Sequence, residues 1–536
     1  MPSQESRLVI RRGSDVALSH LPRVTLSVVL TFTTKKWFTF EPTPIYIYIY
    51  IYIYIYIATT NLQKLKVRGR MKPKYMMISF FIIFLQFITL SNSKSIIKNL
   101  PGFHGDLPFT LQTGYIGMGQ DDSMQVFYYF VESQRSPSDD PLLLYLTGGP
   151  GSSGLYPFLY QIGPLSFNYE SSKGNNITLE LNPYSWSKAA NVIFVDLPVG
   201  VGFSYSETIE ASKSSDSIVA IQSYEFVRKW LVENPNFMSN ALYISGISYM
   251  GIIVPNVALE IYKGNERGNQ PQLNIKGCLI VNPLTDKFIN FNARFEFAHR
   301  LALISDDIYE STKATCGGDY VYNDPRNVLC TIILNGWMSV PLIKISNGQC
   351  TSKITYGNIL ERGCDARDME PTCKAYTDTF IETWANNKDV QKALKVREVR
   401  IIENWETTNK SISYDFKKND TIVYSYDVWS SIPSHKQLLT KNCQVLIICG
   451  DHDMVFPYVG TLKWIRTLNL PIVSPWEPWF VRSQVAGYQM TYARNGSSIK
   501  VATVMGGGHP LAAYNPEEAL VMMDGWLSSH AYLSDS

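Results

Sequence analysis

The sequence predicts an α/β fold: a mostly parallel sheet with helices on both faces and an insertion over one end of the strands. Three observations predict it. Short apolar runs of strand type recur along the chain, separated by segments of helical periodicity. A Ser stands in Gly246-Ile247-Ser248-Tyr249-Met250-Gly251, between one such run and one such helix. From about Asp286 to Trp384 the alternation stops, and five of the eight Cys gather there.

The elements follow in order. Phe109–Tyr115 and Gln125–Glu132 alternate in the manner of a hairpin. Leu142–Leu146 is a continuous apolar run that ends in Thr147-Gly148-Gly149-Pro150-Gly151. Asn191–Asp196, Ala241–Ile244, Gly277–Val281, Cys443–Ile448 and Lys500–Val504 are five more. Runs of this kind suit strands buried on both faces. Ser212–Asn234 and Gly251–Gly264 carry helical periodicity, the second with Pro255 near its start, where Pro is tolerated. The expected layout is a core from residues 94–285 and 386–536, with a cap insertion at 286–385. No internal repeat is evident.

With 45% apolar and 18% charged residues, the 536-residue chain is neither disordered, collagen-like nor coiled coil. A net charge of +2 gives no reason to expect nucleic acid as a partner. The charge is unevenly placed: residues 1–70 carry +7 and residues 94–536 carry −7. From Ile45 to Ile57, Ile and Tyr alternate without a break. That pattern is formally a strand and is aggregation-prone. A repeated AT dinucleotide, read as ATA and TAT codons, gives the same run. Residues 1–70 are therefore expected to be translated upstream sequence, with a second start at Met71. Lys72 and Lys74 precede an apolar stretch, Met76–Leu90, and Ser91 and Ser93 fit a cut before Lys94. Residues 71–93 thus read as a secretory signal peptide. The stretch is shorter than the roughly 20 residues of a membrane span. No later run is longer, so no membrane association is expected after cleavage. Asn176, Asn409, Asn419 and Asn495 stand in glycosylation sequons. The Cys lack metal-type spacing and a His cluster, so disulfides are expected, with no metal and no cofactor.

Ser248 is the candidate nucleophile. A sharp strand-to-helix turn lifts a Ser hydroxyl out of the sheet, and Gly on either side relieves crowding. The helix N-terminus behind it favours negative charge. An acid and a His should follow in that order. His299, His435, His452, His509 and His530 follow Ser248, and His509 alone ends a Gly-Gly-Gly turn just after a strand run. The run before it ends in Gly450-Asp451-His452-Asp453. The Gly-x-x-Asp spacing usual in hydrolases of this type selects Asp453, leaving Asp451 to tie down the turn. An oxyanion hole needs backbone N–H donors. Tyr249 supplies one, and the loop after Leu146 the other, since Gly148 and Gly149 allow close approach. That loop lacks the Lys of a phosphate-binding loop.

LTGGPGSSG, NPYSWSKAANVIFVDLPVGVGFSYS, GISYMGIIVP, NPLTD, ALISDDIYES, CGDHDMVFP, QVAGY and GGGH follow one another in the chain. Together they resemble the serine carboxypeptidase-like proteins of plants, from about Gly102 to Leu527. The resemblance implies an α/β-hydrolase fold with a mainly helical, disulfide-stapled cap, glycosylation, and passage to the vacuole or cell exterior. It implies Ser248, Asp453 and His509 as the triad, and Gly149 and Tyr249 as oxyanion donors. It also implies Cys316–Cys330 and Cys350–Cys364 bridges. The family has Cys at position 152, bridged to the cap, whereas this chain has Ser152. Cys373, its expected partner, is therefore expected to be unpaired. Cys278, Cys443 and Cys449 fall in strand runs and are expected to be buried thiols.

The departures bear on substrate. Peptidases of the family grip a terminal carboxylate with an Asn before GGPG and two acidic side chains. Here those positions hold Thr147, Gln161 and Ile247. Each lost charge-assisted bond costs about 1.5–3 kcal/mol. Thr147 resembles the family's acyltransferase branch, which moves acyl groups from glucose esters to alcohols or amines. Ile247 departs from both groups. Three readings follow: acyl transfer between a small-molecule donor and acceptor, carboxypeptidase action on peptides, and a catalytically idle member.

Overall fold

The computed structural model describes residues 94–531 except 173, 322–323, 325, 340–344, 347–348, 351–353, 365–372, 399–403 and 413–422. The Ile-Tyr run, the signal segment, Asn419 and the Cys350 side chain lie outside the described residues.

One large mixed sheet organises residues 94–531. Its strands are β1 (Lys94–Ile97), β2 (Leu111–Met118), β3 (Met124–Val131), β4 (Leu142–Leu146), β5 (Asn191–Val195), β6 (Leu242–Ile247), β7 (Ile275–Val281), β8 (Gln444–Gly450), β9 (Ile472–Val481), β10 (Gln484–Arg494) and β11 (Ser497–Val504). Their spatial order is β1-β2-β3-β5-β4-β6-β7-β8-β11-β10-β9, with a short strand at Tyr205–Ser206 beside β3. From β5 through β11 each adjacent pair runs parallel, while β1-β2-β3 and β11-β10-β9 are antiparallel flanks.

The parallel strands are the six apolar runs. Both of their faces are covered, so alternate side chains enter two different cores. Leu142, Leu144 and Leu146 face one cluster, and Leu143 and Tyr145 the other. The first cluster includes apolar side chains of α2 (Asp216–Glu233) and α3 (Met250–Glu266). The second includes those of α1 (Leu155–Tyr160), with Phe380, Ile381 and Trp384. The antiparallel β9–β10 hairpin was not legible in advance. Ile472, Val473, Trp476 and Phe480 of β9 are exposed, so no buried face imposes a pattern.

Residues 286–385 contribute α4 (Lys287–Arg300), α5 (Asp306–Cys316), α6 (Val328–Ser339) and α7 (Lys374–Ala385). Residues 356–359 cross the carboxyl end of the sheet, where the Gly357 carbonyl accepts from His509 N–H and the Tyr356 carbonyl from Met454 N–H.

The Cys316–Cys330 bridge is present. The second bridge differs from expectation: Cys364 joins Cys373, with Cα atoms 5.8 Å apart, instead of Cys350. Cys373 is therefore paired, not free. The physical reason is proximity: with no sulfur at position 152, Cys373 meets the thiol nine residues back in sequence. Ser152 Oγ instead shares a hydrogen bond with Thr408 Oγ1 at 2.8 Å. Cys278, Cys443 and Cys449 are buried and unbridged.

Candidate active site

β6 lies between β4 and β7 and delivers the chain to Ser248 at its carboxyl end. Ser248 has φ of 65°, a left-handed conformation that non-Gly residues adopt at a cost and that is held here by its surroundings. Its N–H donates to the Val281 carbonyl at 2.9 Å, and its carbonyl accepts from Gly251 and Leu284 N–H. The two motif glycines are required by contact. A Cβ at Gly246 would lie 2.7 Å from Met250 Cβ, and one at Gly251 would lie 2.4 Å from the Leu284 carbonyl oxygen.

Three residues from distant parts of the chain meet at this turn. His509 Nε2 is 2.8 Å from Ser248 Oγ, and His509 Nδ1 is 2.8 Å from Asp453 Oδ2. Asp453 is fully buried, and its other oxygen accepts from Val455 and Phe456 N–H. The His509 side chain keeps 18% exposure, so this relay opens outward. Such a chain can take a proton from the Ser hydroxyl and hold the resulting imidazolium. Asp451 lies beside the relay: its Oδ1 accepts from Gly506 N–H at 2.7 Å, and burial raises its pKa. Tyr249 occupies the N-cap of α3, and Gly149 has φ of 126° in the loop after β4.

Thr147, Gln161 and Ile247 fall on one side of the sheet. Tyr145 and Thr147 share a face by alternation, and the β4–β6 register ends with Gly246 opposite Leu146, so Ile247 and Thr147 are the next residue of each strand. Gln161, at the end of α1, accepts from Tyr145 Oη at 3.3 Å. All three are buried, and Thr147 Oγ1 has no hydrogen-bond partner among the described residues.

Sequence reasoning missed Asn282. It is fully buried with φ of 44°, just after β7. Its Nδ2 donates to the Gly508 and His509 carbonyls, and its Oδ1 accepts from Gly450 N–H. One amide thus ties the acid loop to the His loop. Asn282 opens the NPLTD motif, and the local signal for its role was an Asn after a strand, where a left-handed turn residue fits.

Asp196 was also missed. Fully buried after β5, it accepts from Ser153 Oγ, Gly154 N–H and Phe203 N–H, and so pins the glycine-rich loop after β4. Burial raises its carboxyl to about 6, against those three hydrogen bonds. Unfolded, it titrates near the usual ~3.9. Between these values the folded state holds a proton that the unfolded chain lacks. The associated stability is complete below about pH 4 and is lost as pH rises through about 6. Relative to Asp196→Asn, the unaltered protein should therefore gain about 1–3 kcal/mol on going from pH 7 to pH 4. Urea unfolding of both proteins at both pH values measures this; parallel changes would contradict it.

Among the sequons, Asn176 and Asn495 are exposed. Asn409 is engaged: its Nδ2 donates to the Gly200 carbonyl at 2.9 Å, and its backbone N–H to the Gly151 carbonyl. A glycan on that nitrogen would displace the Gly200 contact. Glycopeptide mass spectrometry is expected to find Asn409 unmodified, and a glycan there on active protein would contradict this.

No helix among the described residues is long and apolar enough to cross a membrane. The fold is similar to that of a prohormone-processing carboxypeptidase from Saccharomyces cerevisiae, with a TM-score of 0.65 at 20% identity, covering 81% of this chain and 95% of that one. Serine carboxypeptidase-like 16 of Arabidopsis thaliana is 42% identical over 86% of this chain and 99% of its own length. Serine carboxypeptidase-like 17 of the same plant is 42% identical over 84% and 96%. The serine carboxypeptidase family model matches residues 101–529. That match takes in Ser248, Asp453 and His509, and with those relatives it shows that the chain belongs to the serine carboxypeptidase family.

Proposed function

We propose that this protein is an enzyme that forms an acyl-enzyme at Ser248 and passes the acyl group from a glucose ester to a small alcohol or amine. Ser248 Oγ attacks the ester carbonyl while His509 takes its proton. Asp453 holds the imidazole tautomer and stabilises the cation. The backbone N–H groups of Gly149 and Tyr249 receive the developing oxyanion. His509 then returns the proton to the departing sugar oxygen. In the second half, His509 deprotonates the acceptor, which attacks the acyl carbonyl and releases Ser248. No cofactor takes part in this scheme. We place the protein in the secretory pathway, in the vacuole or outside the cell, with residues 71–93 as its signal.

One observation carries the choice of transfer over peptidase action. Thr147, Gln161 and Ile247 are all buried and uncharged, and Ile247 directly precedes Ser248. A peptide's terminal carboxylate placed there would lose its water and gain no ionic partner. A neutral sugar ester avoids that cost. Family membership favours carboxypeptidase action as the second reading.

The combined change Thr147→Asn, Gln161→Glu and Ile247→Glu tests this. It should raise the ratio of blocked-dipeptide cleavage to ester transfer by about 10-fold or more, since each restored contact is worth about 1.5–3 kcal/mol. An unchanged ratio in a folded, fluorophosphonate-reactive variant would count against this choice.

A further inference from the structure

The scheme above uses the backbone of Tyr249 and leaves its side chain unexplained. That ring is 1% exposed, and its hydroxyl donates to Asp216 Oδ1 at 2.8 Å. Asp216 is the first residue of α2 and is fully buried. The same oxygen accepts from Tyr424 Oη at 2.9 Å, and Oδ2 accepts from Val428 N–H at 2.9 Å. Lys287, which opens α4, is also buried, with its ammonium 5.9 Å from the Tyr249 ring and 5.7 and 5.4 Å from those of Tyr426 and Trp429. A charged cluster therefore sits under the residue that follows the nucleophile, and the triad makes no use of it.

Burying a carboxylate is costly unless it is fully hydrogen-bonded. Here three donors from two separate segments converge on it. A hydroxyl-to-carboxylate bond is among the stronger neutral-to-charged contacts. It fixes both side-chain torsions of Tyr249, and with them the Cα that carries the oxyanion N–H. Oxyanion donors act only if held to within about 0.5 Å of the productive position. Tyr249 also begins α3, so its placement sets where that helix starts relative to Ser248.

We infer that Asp216 is a positioning residue: through the Tyr249 hydroxyl it fixes the backbone N–H that receives the oxyanion. This rests on the acyl-enzyme reading at Ser248. Since Tyr424 and Val428 lie far along the chain from Tyr249, the same carboxylate ties residues 424–428 to the turn that carries the oxyanion N–H.

The test compares the purified protein with Tyr249→Phe, Asp216→Asn and the double variant. Turnover of p-nitrophenyl acetate is measured per Ser248 labelled by a fluorophosphonate, beside inhibition by phenylboronic acid, whose tetrahedral Ser248 adduct is an anion with a boron-bound oxygen in the oxyanion position. In Tyr249→Phe, kcat per labelled site should fall about 10-fold or more, with KM within about twofold. Phenylboronic acid should weaken by a similar factor, since it resembles the transition state more than the ester does. The double variant should lose no more than the worse single one, because the two changes share the Tyr249–Asp216 contact. Tyr249→Phe keeps the ring, so the test stands even where Asp216→Asn fails to fold. A purely structural role would lower the labelled fraction while leaving kcat per site and boronate affinity unchanged, and that result overturns the inference. Failure of the unaltered protein to label at Ser248 would instead remove the acyl-enzyme reading, and this inference with it.

Discussion

Replacing Ser248 or His509 with Ala should abolish fluorophosphonate labelling and lower ester turnover by at least about 10⁴-fold. The geometry sets this size. Ser248 Oγ, His509 and Asp453 form one relay with both contacts at 2.8 Å, so removing any member removes proton transfer from the whole. Asp453→Asn should cost roughly 10³–10⁴-fold, because an amide facing Nδ1 favours the wrong tautomer. Asp453 is fully buried with its second oxygen bonded to two backbone N–H groups, so its position should survive that change. Mass spectrometry of the labelled peptide is the check. Label on another Ser, or persistent label in His509→Ala, would contradict the relay.

Gly148→Ala is expected to lower kcat by about 100-fold or more in a protein that still folds. The added Cβ would lie 2.7 Å from Ser248 Cβ and 2.8 Å from the Ile247 carbonyl oxygen. Neither neighbour can retreat readily, since Ser248 is held by backbone hydrogen bonds on both sides and Ile247 is within β6. The loop must move instead, and the adjacent Gly149 moves with it. A displacement near 1 Å at a reacting centre costs about 10²-fold. The stability cost of such overpacking is about 1–3 kcal/mol, which a sheet of this size tolerates. Thermal unfolding beside steady-state kinetics separates the two effects. Full activity in Gly148→Ala would contradict the close approach of this loop to the nucleophile.

What the sequence made legible follows from local rules. β4 through β8 and β11 are buried on both faces, so each appears as an uninterrupted apolar run. Ser248 and His509 sit in motifs whose glycines answer local crowding, and Asp453 follows from its spacing within one turn. What stayed hidden depends on distance along the chain. Asn282 acts on His509 across 227 residues, and Tyr424 meets Asp216 across 208. No periodicity encodes either contact. The β9–β10 hairpin lacked a pattern because much of β9 faces solvent. The Cys364–Cys373 bridge was missed because the expected pairing was the one the family resemblance implies, whereas pairing is decided by which sulfurs this fold brings together.

Transfer and hydrolysis diverge only after the acyl group is on Ser248, so the fate of that group is the most direct measurement. The purified protein would be offered acyl-glucose esters with and without alcohol or amine acceptors, beside blocked dipeptides, and the products identified by mass spectrometry. Acceptor-dependent formation of a new ester or amide is expected, with dipeptide cleavage well below a kcat/KM of about 10⁴ M⁻¹s⁻¹. Dipeptide cleavage at or above about that value, with no acceptor-dependent product, would contradict acyl transfer and leave a carboxypeptidase.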